Sequence, residues 1–247
     1  MFKKTIDYDL ASKVYDQVRT GDPEMVQQIL NGISLSSHSL VLDVGCGTGN
    51  NTLLFTAATG AKVAGLDISF GMLGKAREKT QHLPFIQAPA DCLPLMDGSL
   101  DFVFMTEVIH HLPDIPKTLK EIYRVLDSEG FICIVTQSHA QIDNRQTSRF
   151  FPGTAQVDKE RYPDIDEIEQ MLLTAGFAKV TPQEYNFKPV SLGDEFLKTV
   201  SKRGFSMLHK ISDAEFENGL QDLKIAYQSG DSLLYSAGYY FVWAIKP

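Results

Sequence analysis

The sequence has few cysteines, and their spacing predicts neither a disulfide framework nor a thiolate metal site. Only Cys46, Cys92 and Cys133 occur among the 247 residues, and none forms a CxxC pair. All three lie in apolar or glycine-rich surroundings, which is typical of reduced thiols. A small secreted domain held together by disulfides is therefore not expected.

Long apolar runs are also missing. No stretch approaches the ~18 consecutive apolar residues that a membrane-spanning helix requires. The N-terminal sequence MFKKTIDYDL contains two lysines but no apolar segment of a signal peptide after them. These absences predict a cytoplasmic protein that has no membrane partner.

An excess of basic residues is absent as well. The chain has 31 acidic residues against 23 lysines and arginines, and its net charge is −8. Because a general nucleic-acid-binding protein needs a basic face, no nucleic-acid partner is expected. We find no internal repeat or low-complexity segment, and the length suits a single α/β domain over residues 1–247.

Strand and helix patterns alternate in the first half of the chain. The predicted strands are 40–44, 62–67, 85–88, 100–106 and 131–136, and the predicted helices between them are 52–59, 69–79 and 115–126. Near-continuous apolar strands separated by amphipathic helices indicate a parallel sheet that is covered on both faces. The fold class is therefore predicted as α/β, with a doubly wound sheet.

The flanking regions have different patterns. Residues 8–31 predict one or two short helices interrupted near Gly21, and the polar stretch 139–163 predicts a long loop. The later predicted elements are a helix over 164–175, a strand-like stretch to about 189, a helical insertion over 192–227 and a final strand over 239–245.

The stretch VLDVGCGTGN, residues 41–50, places three glycines where the first strand gives way to a helix. Glycine permits a positive φ and a close approach of backbone to a ligand, and the N-terminus of the next helix presents unpaired N–H groups. The dinucleotide fingerprint is GxGxxG, but here Asn50 stands where its last glycine belongs. The spacing therefore disfavours a nicotinamide oxidoreductase.

Two carboxylates extend this pattern. Asp67 ends the second strand, where a carboxylate can accept hydrogen bonds from both hydroxyls of a ribose. After the third strand comes Ala90-Asp91-Cys92-Leu93-Pro94, in which Asp91 can accept a hydrogen bond from an adenine amino group. The order of these markers indicates a nucleoside-containing cofactor.

Four segments together resemble the class I S-adenosylmethionine-dependent methyltransferases, in the small-molecule group that includes the quinone-biosynthesis C-methyltransferases. The matching segments are VLDVGCGTGN, GLDISFGMLGKAREK, QAPADCLPLMDGSLDFVFMTEVIHHLPD and LKEIYRVLDSEGFICIVT. The resemblance is strong over 38–138, the cofactor-binding core. It implies a seven-stranded, mostly parallel Rossmann-like sheet whose last strand, YYFVWAIKP, is antiparallel. It also implies S-adenosylmethionine as cofactor and S-adenosylhomocysteine as product.

The resemblance assigns site residues position by position. Residues expected around the amino-acid part of the cofactor are Asp43, Gly45, Cys46, Gly47 and Gly49. Asp67 is expected on the ribose, Ile68 and Met72 beside the adenine, and Ala90, Asp91 and Cys92 along the adenine edge. Thr106 is expected to face the methionine portion. The N-terminal helices within 1–35, with Tyr8 and Tyr15, resemble a lid over the cofactor.

Methyl transfer from a sulfonium is an in-line displacement, which needs positioning and exclusion of water and neither a metal nor a covalent intermediate. A general base helps when the acceptor must lose a proton, and His110 and His111, after the fourth strand, are the candidates. Their usual role is capping or packing beneath the site. No third ligand is suitably spaced, so no metal is predicted.

The substrate is less determined than the cofactor. The loop 139–163 and the insertion 192–227 are expected to form a substrate cap, and a small-molecule acceptor is the main hypothesis. An RNA or protein methyltransferase and a non-catalytic cofactor-binding protein remain alternatives. The acceptor atom and the oligomeric state stay open. Arg145, Arg149 and Arg161 are expected to be solvated, with recognition of a carboxylate or phosphate as the alternative.

Overall fold

The structure is a computed structural model that describes residues 9, 12, 16, 20–230, 233–235 and 238–247. The predicted lid residues Tyr8 and Tyr15 lie outside the described residues. The helices and strands, numbered along the chain, are α1 (Pro23–Asn31), β1 (Leu40–Val44), α2 (Asn50–Thr59), β2 (Lys62–Asp67), α3 (Phe70–Lys79), β3 (Phe85–Gln87), β4 (Leu100–Thr106), α4 (Ile115–Val125), β5 (Leu126–Thr136), α5 (His139–Asp143), α6 (Gln146–Phe150), α7 (Pro152–Lys159), α8 (Ile165–Ala175), β6 (Ala178–Asn186), β7 (Val190–Ser191), α9 (Asp194–Ser201), α10 (Asp213–Gln228), β8 (Leu234–Tyr235) and β9 (Gly238–Ile245).

One seven-stranded sheet organises the fold, with strand order β3-β2-β1-β4-β5-β9-β6. The pairs β1–β2, β1–β4, β2–β3 and β4–β5 are parallel. Strand β9 is antiparallel to β5, in a register that runs from Phe131 opposite Ile245 to Thr136 opposite Tyr240. The predicted sheet and its antiparallel last strand are confirmed.

The chain divides into two compact units. The first, which we call the sheet unit, comprises residues 7–136, 165–183 and 240–247. Its core consists of buried side chains on the central strands and on α4 and α8, such as Leu42, Val103, Ile122, Ile134 and Ile168. Burial on both faces explains why these strands read as continuous apolar runs.

The second compact unit, which we call the helical unit, contains residues 137–164 and 184–239. Its core is formed by side chains that include Phe151, Leu208, Phe216, Leu220 and Leu223. Several aromatic and aliphatic residues of the insertion 192–227 are thus packing residues. Strands β7 and β8 form a separate two-stranded ribbon that the sequence pattern did not reveal.

The prediction of a loop over 139–163 is wrong, because this stretch contains α5, α6 and α7. Ser138 and Gln141 form a capping box that starts α5, and Pro152 lies in the first turn of α7, where its missing N–H costs no hydrogen bond. The polar composition suggested a solvent-exposed loop, but several of these polar side chains are buried. These helices enclose charged side chains that pair with each other.

The buried polar group of the helical unit is centred on Asp158, which is only 1% exposed. Arg145 donates to its Oδ2 at 2.6 Å and Arg161 donates to its Oδ1 at 2.5 Å. The guanidinium of Arg145 also donates to the side-chain oxygen of Gln137. Arg145 is 7% exposed, so the expected solvation of these arginines is wrong for Arg145.

The N-terminal region contains the predicted helix break. Asp22 caps α1 by accepting the N–H of Met25 at 2.9 Å, and Pro23 begins the helix. Before the break, Asp9, Ser12 and Asp16 have helical backbone. In the part of the chain that the structure describes, no helix is both long enough and apolar enough to span a membrane.

Candidate functional site

The candidate site lies where β1, β2 and β4 end, because parallel strands bring their carboxyl ends to one edge of the sheet. The glycine loop, residues 45–49, leaves β1 at this edge. A side chain on Gly45 would clash with Val108, since a Cβ would come within 2.4 Å of its Cγ2. Gly47 has a φ of 55°, and a Cβ there would meet nothing within 4 Å. The loop therefore packs closely at Gly45 and borders open space at Gly47.

Asp67 is joined directly to the glycine loop. Its Oδ2 accepts the backbone N–H of Gly47 at 2.8 Å, and its Oδ1 accepts the N–H of Ser69 at 2.8 Å. Burial raises the pKa of this carboxyl group, although these N–H groups oppose the shift. Ser69 caps α3 by accepting the N–H of Met72. Asp67 thus fixes the loop as well as ending β2.

Asp43 lies inside the sheet unit and is 1% exposed. The hydroxyl of Thr52 donates to its Oδ2 at 2.6 Å. Its Oδ1 is buried and has no hydrogen-bond partner among the described residues. Burial raises the pKa of Asp43 to about 7, and the charge of Asp67 adds to the shift. The carboxyl group therefore changes its charge near neutral pH.

Cys46 is directed toward the sheet. A Cβ on Gly65 of β2 would come within 2.8 Å of its Sγ, and burial raises the pKa of the thiol well above its usual value. A protonated, packed thiol is a poor nucleophile. The structure places Cys46 as a packing residue whose backbone forms part of the loop.

The residues expected beside an adenine differ in exposure. Ile68 is 67% exposed, whereas Met72 is only 2% exposed and packs inside the sheet unit. Ala90 is half-buried and Cys92 is exposed. The carboxylate of Asp91 pairs with the ammonium of Lys117 at 3.1 Å. Ile68 therefore offers apolar surface at this edge, while Met72 does not.

Thr106 ends β4 and is held by a residue that the sequence reasoning missed. The amide of Asn51 donates to Thr106 Oγ1 at 3.1 Å, and Asn51 Oδ1 accepts the N–H of Asp22 at 2.9 Å. Asn51 thereby connects α2 with β4 and with the start of α1. A polar residue in the first turn of a helix carries no signal of such partners in the sequence.

The segment after β4 combines backbone strain with the two histidines. Glu107 has a φ of 57°, which is uncommon for a residue that is not glycine. His110 and His111 lie in a short 3₁₀ helix, with ring centroids 3.9 Å apart. His110 is half-buried and His111 is exposed. Among the described residues, no cluster of histidine, cysteine or carboxylate side chains is suited to hold a metal.

A second polar group, which the sequence pattern did not indicate, also contacts the glycine loop. The ammonium of Lys79 lies 2.8 Å from the carboxylate of Asp16. It also donates to the carbonyl of Thr48 at 2.9 Å and to Asn50 Oδ1 at 2.6 Å. Asp16 in turn accepts from the Thr48 hydroxyl at 2.6 Å and from the Asn50 amide at 3.1 Å.

Comparisons with known proteins show which family the chain resembles. Residues 42–134 match the family described as "Methyltransferase domain". A demethylmenaquinone methyltransferase of Oceanobacillus iheyensis is 30% identical over 179 residues, which are 62% of this chain and 75% of that protein.

Two solved structures are similar to the chain in fold. A protein of Anabaena variabilis, described as a methyltransferase from an antibiotic biosynthesis pathway, has a TM-score of 0.77 at 22% identity and covers 92% of this chain and 99% of its own. Phosphoethanolamine N-methyltransferase 2 of Haemonchus contortus was solved with phosphomonomethylethanolamine and S-adenosylhomocysteine. It has a TM-score of 0.64 at 20% identity, over 100% of this chain and 61% of its own.

Proposed function

Because the chain belongs to the class I S-adenosylmethionine-dependent methyltransferases, we propose that it transfers the methyl group of its cofactor directly to a small-molecule acceptor. The observation that carries the proposal is the open space beside Gly47, next to a loop that Asp67 holds in place. A side chain at this position would occupy the space that a cofactor needs.

The described residues suit this cofactor. In the proposal, the glycine loop and Asp43 face its amino-acid part, and the partnerless Oδ1 of Asp43 gives a polar cofactor group an acceptor. Asp67 binds the ribose hydroxyls and Ile68 covers the adenine. We further propose that Ala90, Asp91 and Cys92 border the adenine and that Thr106 faces the methionine portion. Cys46 contributes its backbone to the glycine loop, and Met72 supports the adenine side of the site from inside the sheet unit.

When bound, S-adenosylmethionine supplies a methyl group on a sulfonium, which is already a good leaving group. The residues of this chain therefore have to orient the acceptor, exclude water and stabilise the cofactor's charges. Proton removal matters only for an acceptor that carries an acidic proton. His110 and His111 are the proposed groups for that step, since an imidazole titrates near neutral pH.

A small molecule is the favoured acceptor for three reasons. The net charge of −8 disfavours a polyanionic substrate. A similar enzyme is named for demethylmenaquinone, and a similar structure contains phosphomonomethylethanolamine. The residues proposed for the cofactor are generic to the family, so we propose that residues 139–163 and 192–227 select the acceptor.

The cofactor site is tested by two glycine substitutions that are matched in backbone cost. Gly47 and Gly60 have φ values of 55° and 68°, and a Cβ at either would meet nothing within 4 Å. An alanine that is forced into the left-handed backbone conformation costs about 1–2 kcal/mol of stability at either position. Titration calorimetry with S-adenosylhomocysteine should show at least about tenfold weaker binding for Gly47→Ala and unchanged binding for Gly60→Ala.

Equal affinities of the two variants would contradict the assignment of the loop to the cofactor. The acceptor is then sought with radiolabelled S-adenosylmethionine and panels of quinones, phosphorylated amines, RNA and proteins. Transfer to RNA or protein would replace the small-molecule proposal. Cofactor binding with no transfer to any panel would favour a non-catalytic cofactor-binding protein.

A further inference from the structure

The ammonium group of Lys79, the last residue of α3, has three different hydrogen-bond acceptors. These partners are the Asp16 carboxylate, the Thr48 carbonyl and the Asn50 side-chain oxygen. An ammonium group has three donors and no acceptor, so this arrangement satisfies it completely. Two of the three partners lie in or directly after the glycine loop.

Asp16 complements Lys79 from the N-terminal segment. Its carboxylate accepts hydrogen bonds from the buried Thr48 hydroxyl, the Asn50 amide and the Lys79 ammonium. Burial works to raise the pKa of Asp16, but the hydrogen bonds from Lys79, Thr48 and Asn50 outweigh it and lower the pKa. The carboxylate is therefore charged at neutral pH, and it contacts the same two residues as Lys79, namely Thr48 and Asn50.

A second contact fastens this segment at the opposite end of α3. Asp9 Oδ1 accepts the Ser69 hydroxyl at 2.5 Å and the N–H of Gly71 at 2.9 Å. Asp9 and Asp16 thus contact the two ends of one helix, and that helix follows the strand that ends in Asp67. The glycine loop is therefore contacted by Asp16 and Lys79 as well as by Asp67.

We propose that Asp16 and Lys79 are positioning residues for the cofactor, which keep the glycine loop in its receptive conformation. This inference rests on the cofactor site proposed above. Glycine loses more conformational freedom than other residues when it is ordered, and a preorganised loop binds its ligand at a lower entropic cost. Removing either side chain should therefore weaken cofactor binding, although neither side chain contacts the cofactor.

The partial exposure of Asp16 and Lys79 distinguishes a positioning role from a purely stabilising one. The side chains of Lys79 and Asp16 are 25% and 34% exposed. Ion pairs that are accessible to solvent contribute little to stability and weaken in salt. The pair is thus placed to adjust the loop while the core remains intact.

The test uses Asp16→Asn, Lys79→Met and the double variant, with Lys75→Met as a matched control. Lys75 lies one turn earlier on α3 and pairs with Glu78 at 2.8 Å, away from the loop. Calorimetry with S-adenosylhomocysteine should give a Kd about tenfold higher for each single variant and about the same for the double variant, because either change releases the loop. Lys75→Met should bind like the wild type, and all variants should unfold within a few degrees of it.

Dissociation kinetics provide the readout that a structural pair would not change. Release of S-adenosylhomocysteine from the wild type, followed by stopped flow, should accelerate with added potassium chloride, and release from Lys79→Met should not respond. An unchanged Kd in the single variants, additive single effects, or equal weakening by Lys75→Met would overturn the inference. If the wild type itself fails to bind S-adenosylhomocysteine, the proposed cofactor site fails instead.

Discussion

The two compact units each bury an aspartate at 1% exposure, but they provide for its charge in opposite ways. In the helical unit, both oxygens of Asp158 accept hydrogen bonds from arginines. In the sheet unit, Asp43 has one hydrogen bond from Thr52, and its Oδ1 has no partner among the described residues. The two carboxyl groups are equally buried, but only Asp158 has hydrogen bonds to both of its oxygens.

This difference separates a structural carboxylate from one that belongs to a site. A buried charge is tolerated when ion pairs and hydrogen bonds compensate for lost hydration, as at Asp158. An incompletely compensated carboxyl takes up a proton instead, and the pKa of Asp43 is accordingly raised to about 7. Asp43 lies next to the glycine loop, so we interpret its incomplete compensation as serving the cofactor site.

The comparison predicts its largest effect for Asp158→Ala. Removing this carboxylate leaves the guanidiniums of Arg145 and Arg161 without their shared partner, and breaking a buried pair of this kind costs about 3–5 kcal/mol. Urea unfolding measures the loss. The control is Asp143→Ala, which removes an exposed partner of Lys159 and should cost less than about 1 kcal/mol. A similar cost for both would remove the structural role of Asp158.

The second prediction concerns pH. The folded-state pKa of Asp43, about 7, exceeds the ordinary value of 3.8, so the folded protein retains a proton that the unfolded chain loses first. Stability contributed by this proton is complete below pH 4, declines as pH rises and is lost above pH 7. The full shift of roughly three units corresponds to at most about 4 kcal/mol.

The matched variant for this prediction is Asp43→Asn, which cannot titrate. Urea unfolding of both proteins at pH 5 and pH 8 should show that the wild type loses more stability than the variant over this interval. Identical losses in the two proteins would mean that Asp43 is ionised throughout, and the contrast with Asp158 would then lose its physical basis.

A smaller effect is expected for Asp67→Ala, chiefly on binding. Loss of the hydrogen bonds that the charged carboxylate is proposed to accept from the ribose hydroxyls should weaken S-adenosylhomocysteine binding by about 1.5–3 kcal/mol. Because Asp67 also accepts the N–H groups of Gly47 and Ser69, stability should fall by about 1 kcal/mol. Calorimetry and urea unfolding measure the two quantities.

Asp101→Ala is the control for Asp67→Ala. Asp101 accepts a backbone N–H, that of Leu40, at 2.7 Å, and both residues lie at the starts of their strands. This change should alter stability slightly and leave the affinity for S-adenosylhomocysteine as it is. If both aspartates reduce binding to the same extent, Asp67 acts only through the fold.

The strands and the cofactor edge were predictable from sequence because their signals are local. Apolar runs mark buried parallel strands, and the glycines after β1 mark a turn that other residues adopt with strain. Ser69 lies directly before α3, is of a residue type that favours helix N-caps, and caps this helix. These features depend on neighbours that are close in the chain.

The helices over 139–163 were missed because their stabilising contacts are not local. Arg145 and Asp158 are 13 residues apart, and each reads as a solvated charge until both are seen in one buried group. Likewise Asp16 and Lys79 are 63 residues apart, and their common contacts with Thr48 and Asn50 have no sequence pattern. Polarity in a sequence predicts exposure, and paired burial overrides it.

By itself the sequence determined the parallel sheet, the glycine loop at its edge and the carboxylate at the end of β2, and with them the cofactor class. Periodicity and glycine placement are properties of neighbouring residues, so they can be read without coordinates. Only the tertiary structure decided which charges are compensated. The sequence does not show how the charge of either Asp43 or Asp158 is compensated. Thr52 for one aspartate, and Arg145 and Arg161 for the other, set their different electrostatics only once the chain has folded.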